Sequence, residues 1–184
     1  MRTIRTAALT TTALGLTAAA ALSTVALGTP TASASDLSET HRERGYVLEC
    51  QGEELGRGSA GRTARVVLYE NDVHVNHLEI VIDDDPRLAA SRNPDDIIVG
   101  RDVRVRARLD GHRAVVVGNL AREKRRTPVR EVIEDDAGKR VVSEGFHRAV
   151  RSDLGLLYRG ASFQLVCDPA FSYDLQVTTT DVTS

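Results

Sequence analysis

The chain reads as all-β: an antiparallel barrel or sandwich of about eight or nine strands carrying one disulfide. Three observations lead there. Alternating or apolar runs recur between Gly, Asp and Asn turn signals, most clearly in Val103-Arg104-Val105-Arg106-Ala107-Arg108-Leu109 closed by Asp110-Gly111. Beyond the N-terminal segment, no stretch sustains the apolar period of about 3.6 residues that a helix would need. The only two cysteines, Cys50 and Cys167, stand near opposite ends of the remaining chain.

The first residues belong to a targeting segment. Arg2 and Arg5 precede an uncharged run rich in Ala, Leu and Thr that ends at Ala32-Ser33-Ala34. This is the basic, apolar and small-residue order of a secretory signal peptide, assigned to residues 1–34. No twin arginine and no cysteine near the cleavage site point to another route or to a lipid anchor. Without Arg2 and Arg5 the exported part carries 22 basic and 26 acidic residues, a formal charge of −4. That balance offers no general attraction for nucleic acid or an anionic membrane. Residues 35–44 are polar and charged without periodicity and read as a flexible leader, which leaves 45–184 as a single β-rich domain.

Within that domain Tyr46, Leu48 and Cys50 alternate along a first strand, followed by a glycine-rich loop over 52–62. A hairpin is expected between 65–69 and 73–83. In its second arm Val73 and Val75 are apolar at odd positions and Leu78, Ile80 and Ile82 at even ones, so one face needs an extra residue and a β-bulge is expected near Asn76-His77. A long connection over 83–96, with a helical turn at 87–91, precedes the hairpin of 103–109 and 112–120. A third hairpin is expected between 128–133 and 139–150, with an interruption at Gly145. Strands at 154–158 and 162–167 form a fourth pair around Arg159-Gly160, and 173–177 supplies a last strand. In an oxidising compartment Cys50 and Cys167 are expected to bond.

Several residue groups are candidates for chemistry. With a two-residue turn at Asp110-Gly111, Arg108 stands opposite Arg113, and Arg104, Arg106, Arg108 and Arg113 share one face. That face suits an anionic partner such as a carboxylate-bearing glycan, a phosphate or an acidic protein surface. The alternative is a solvated face whose arginines pair with carboxylates of neighbouring strands. The run Arg122-Glu123-Lys124-Arg125-Arg126 adds a second basic stretch. His74 and His77 are weak metal-ligand candidates, brought together by the expected bulge and completed by Glu79. Five aspartates, Asp83, Asp84, Asp85, Asp95 and Asp96, bracket one connection, but their spacing fits no calcium loop.

No catalytic residues and no cofactor are assigned. Gly58-Ser59-Ala60-Gly61 lacks the first glycine of a nucleophile elbow, where Arg57 stands. His77-Leu78-Glu79 lacks the P-C-x-x-C that completes a zinc deaminase. The chain contains no tryptophan to stack a sugar beside paired carboxylates.

The segments Tyr46 to Cys50, Asn76 to Pro86, Leu165 to Asp168 and Tyr173 to Val177 resemble a family of small secreted actinobacterial proteins with no assigned function. The resemblance spans the exported part and implies export, but brings no residue of known role. A fainter similarity to small secreted β-barrel inhibitors of the lysozyme-inhibitor type concerns architecture alone. The function expected is that of a secreted, non-enzymatic binding or inhibitor-like module for an extracellular macromolecule. Two other classes have distinct signatures: a small-ligand carrier needs a barrel cavity, and an enzyme needs a cleft holding His74, His77, His112 or His147 beside carboxylates.

Overall fold

The computed structural model describes residues 38–56, 61–134 and 138–181. The signal peptide assigned to 1–34 and Gly58, Ser59 and Ala60 of the Gly58 to Gly61 segment lie outside these residues. Ten antiparallel strands follow in chain order: β1 (Ser38–Glu54), β2 (Thr63–Asn71), β3 (His77–Ile82), β4 (Ala89–Arg92), β5 (Ile98–Val99), β6 (Asp102–Leu109), β7 (His112–Arg122), β8 (Thr127–Glu134), β9 (Lys139–Tyr158) and β10 (Ala161–Asp181). They form one sheet in the order β4-β3-β2-β1-β10-β9-β7-β6-β5, with β8 joined to β9. The strand of 20 residues that is β9 is long enough to hold β7 along 150–158 and β8 along 140–147.

The sheet curls into a half-barrel and its ends approach at a seam of side-chain hydrogen bonds. Arg92 donates from Nη1 to the Arg106 carbonyl across 2.8 Å, and Glu70 Oε2 accepts from the Ile97 and Ile98 amides at 3.0 and 2.7 Å. Inward positions are filled by Leu48, Val66, Leu68, Ile80, Val116, Leu156, Tyr158 and Phe163, all buried in one apolar cluster. The period of two in the sequence explains this packing, because alternate residues of a strand meet the same face.

The hairpin of β6 and β7 has the register its sequence indicates, with Leu109 opposite His112 and Arg108 opposite Arg113. Asp110 and Gly111 both have positive φ, as a two-residue hairpin turn requires. Cys50 and Cys167 are bonded and directly opposed on adjacent strands.

Gly145 does not interrupt its strand, since β9 runs on through it paired with Val129 and Leu175, and of the helical turn expected at 87–91 only 87 and 88 are helical, 89–92 being drawn into strand β4 beside β3. Three further expectations are corrected. The flexible leader expected over 35–44 is ordered strand from Ser38, because Thr178, Thr179 and Thr180 of β10 supply it with a pairing edge. The bulge expected at Asn76-His77 does not exist: β2 and β3 pair in unbroken register, while Val73 and Val75 lie in the connecting turn and are exposed. The phase change is real in the sequence, but it marks where the strand begins. A bulge occurs instead on β10, between Leu165 and Phe171, and it joins into one strand the two segments expected to be separate. Pro169, which has no N–H to donate, sits within this slip. The extra residue turns β10 over, so Phe163 and Leu165 face inward before it and Ser172 after it.

Candidate functional site

Two side-chain groups on the outer surface differ from their surroundings. The first is the arginine face. Val103, Val105, Ala107 and Leu109 of β6 are buried, which turns Arg104, Arg106 and Arg108 outward, and Arg113 of β7 joins them. Alternate residues on a strand stand about 6.6–6.8 Å apart, so the three on β6 form a regular row. Beside them, half-buried Val115 and Val117 and the more exposed Leu157 add an apolar margin. The carboxylate partners of the alternative reading are missing. Among the described residues, no Asp or Glu lies within ion-pair distance of any of the four, whereas Arg42, Arg62, Arg65 and Arg130 each hold one, Asp174, Asp83, Glu79 and Glu144 respectively.

The second group gathers around Glu43. On β1, His41, Glu43 and Gly45 share one face, and the turn between β2 and β3 folds His74 over it. His41 and His74 each bring Nε2 to the same carboxylate oxygen, Oε1, at 2.8 and 3.0 Å. The two imidazole rings stand edge to face with centroids 6.2 Å apart. Burial works against the charge of Glu43, but hydrogen bonds from His41, Asn71 and His74 outweigh it and hold the carboxyl below its ordinary range.

Asn71 organises this group. Its side chain is buried and its Nδ2 lies 3.1 Å from Glu43 Oε2, 2.9 Å from the Tyr69 hydroxyl and 2.8 Å from the Tyr173 hydroxyl. Its Oδ1 accepts from the Val73 and His74 amides at 2.7 and 2.9 Å, the local turn that asparagine favours. One residue therefore orients the carboxylate and places the backbone that carries His74. Burial and the Tyr69 hydroxyl push the Tyr173 phenol well above the usual tyrosine range, so it stays protonated and donates to the Glu70 carbonyl. Gly45 makes room for this: a Cβ there would meet the Glu70 carbonyl oxygen and come within 2.6 Å of the Tyr173 hydroxyl.

The sequence candidates separate accordingly. His74 is in the Glu43 group, but His77 points to Asn93, 3.4 Å away, and Glu79 is held by Arg65. The pairing of His74 with His77 is thus replaced by one with His41. His41 and Glu43 both fall in the polar segment without apolar period, which hides them as strand residues; their spacing of two, which puts them on one face of any strand, is the signal the sequence carries. Two of the five aspartates are engaged within the fold: Asp83 accepts from Arg62 and the Thr63 amide, and Asp85 from the side chain and amide of Arg87. In the second basic run, Arg122 packs on the Tyr46 ring and donates to its hydroxyl, while Arg126 covers Phe146. His112 packs edge-on against Tyr158, and His147 stacks on Phe171. A groove of about 620 Å³ includes Leu55, Arg65, Val81 and Val166 in its lining and contains no residue of either group.

No family model matches this chain, and no curated protein and no solved structure is detectably similar to it. Roles for its residues rest on their chemistry.

Proposed function

We propose that the protein is an exported, non-enzymatic binding module that engages an anionic extracellular macromolecule through Arg104, Arg106, Arg108 and Arg113. The observation that carries this reading is that all four arginines of one contiguous face lack a carboxylate partner among the described residues, whereas eight arginines elsewhere hold one. Arginine suits the task because its planar fork can hold a carboxylate or a sulfate through parallel hydrogen bonds. Like charges set opposite each other, as Arg108 and Arg113 are, disfavour the free protein and are relieved when an anion lies between them. The Cys50–Cys167 bond fits an oxidising compartment, and no helix among the described residues is long and apolar enough to cross a membrane. A filled interior favours a surface binder over a carrier, since the inward positions are occupied by the core side chains themselves.

Retention on a carboxylated or sulfated polysaccharide column, and titration with an acidic protein in parallel, test the reading. The variant with all four arginines replaced by Gln is expected to lose retention while the fold stays intact. Equal behaviour of the variant and the native chain toward every polyanion would overturn it.

A further inference from the structure

The Glu43 group has the composition of a metal centre, and we propose that His41, Glu43 and His74 bind one divalent transition cation of the zinc class. The three ligand atoms lie within 4.8 Å of one another. Zinc bonds of about 2.0–2.1 Å in tetrahedral arrangement put neighbouring ligand atoms about 3.3 Å apart. Both Nε2 atoms already stand 2.8 and 3.0 Å from Glu43 Oε1, so these two separations need to widen by only a few tenths of an ångström around a cation. Two imidazoles and one carboxylate suit zinc or copper and disfavour calcium and magnesium, which require oxygen ligands. The His74 side chain is 58% exposed and Glu43 13%, so a cation would be held from below by the carboxylate and reached from solvent past His74. Three protein ligands would leave a fourth position for water or for an atom of a partner.

The surroundings are those that a metal ligand set needs. Asn71 fixes the second carboxylate oxygen of Glu43, and through its Oδ1 it fixes the amides of the turn that presents His74. Neighbouring Gly45 keeps Tyr173 close beneath Asn71. The cation would tie the turn over 72–76 to β1, two elements joined otherwise by hydrogen bonds, the Arg44–Asp72 ion pair and the His41–His74 ring contact.

The test is calorimetric titration of the chelator-treated full chain with Zn²⁺ at neutral pH, repeated on His41→Ala, His74→Ala and His77→Ala. Saturable binding of one equivalent is expected, weakened at least tenfold in His41→Ala and in His74→Ala and unchanged in His77→Ala. His74 sits on an exposed turn, so His74→Ala is expected to fold as the native chain does, which circular dichroism checks. The thermal midpoint of the native chain should rise with Zn²⁺ and that of His74→Ala should not. Absence of saturable binding, or native affinity in either the His41 or the His74 variant, would overturn the proposal.

Discussion

Cys50 and Cys167 face each other across β1 and β10 at the place where the ladder between these strands slips by one residue. On the side of the slip toward the strand ends, Gly52 pairs with Leu165; on the other, Leu48 pairs with Ala170. Backbone pairing is interrupted there, and the covalent bond holds the two central strands of the sheet in register across the gap.

This location makes the disulfide a large contributor to stability. The bond joins residues separated by 117 positions, and closing so long a loop restricts the unfolded chain considerably. Replacing both cysteines by Ala is expected to lower the unfolding free energy by about 2–5 kcal/mol. Urea denaturation should show a lower midpoint, and a steeper dependence as the unfolded chain expands. A loss under about 1 kcal/mol would mean that strand pairing alone fixes the register.

Where local pattern decides structure, the fold was legible in the sequence. The hairpin of β6 and β7 is the clearest instance: alternation and a two-residue turn determine register, and register determines that Arg104, Arg106, Arg108 and Arg113 share a face. What stayed hidden depends on distant partners. Residues 38–44 have no apolar period of their own and become strand because 174–180 lies beside them. From the sequence, His41 and Glu43 therefore read as part of a leader and His74 as the partner of its neighbour His77, although its actual companions lie about thirty residues earlier, on β1. The slip at Pro169 likewise follows from keeping both halves of β10 facing the core, a demand that spans the sheet.

His147 should give the protein a stability step in mild acid. Its ring stacks on Phe171 with centroids 4.4 Å apart, and burial lowers its pKa from 6.5, opposed by the nearby Glu131 carboxylate. A histidine whose pKa is lower in the folded state takes up its proton more readily when unfolded. Stability is therefore unaffected by this group above pH 6.5, falls as pH drops through that value, and levels off below the folded pKa. The carboxyl groups of Asp83, Asp85 and Asp174, all lowered from 3.8 by their arginine partners, begin to cost stability only in stronger acid. His147→Phe keeps an aromatic ring against Phe171 and removes the titration. Urea midpoints measured from pH 8 to pH 5 should fall less in His147→Phe than in the native chain (about pH 6.5 being the unperturbed imidazole value). Parallel profiles would show that the ring titrates as it does in the unfolded chain.

Arg113→Glu separates the cost of the arginine face from its use. In the native chain Arg113 stands directly opposite Arg108 with no carboxylate in ion-pair distance among the described residues, an arrangement that disfavours the fold. Glu at this position sets opposite charges across the same pair of strands. Both side chains are exposed, so the change leaves the core of Ala107, Ala114 and Val116 untouched. Unfolding free energy is expected to rise by about 0.2–1 kcal/mol, read from the urea midpoint. Binding to a polyanion should weaken in the same variant, because a carboxylate now occupies the row. A surface that merely solvates the protein would gain stability and lose nothing. Gain in stability together with loss of retention identifies a face kept against the interest of the fold, and a variant less stable than the native chain would show that Arg108 and Arg113 do not repel.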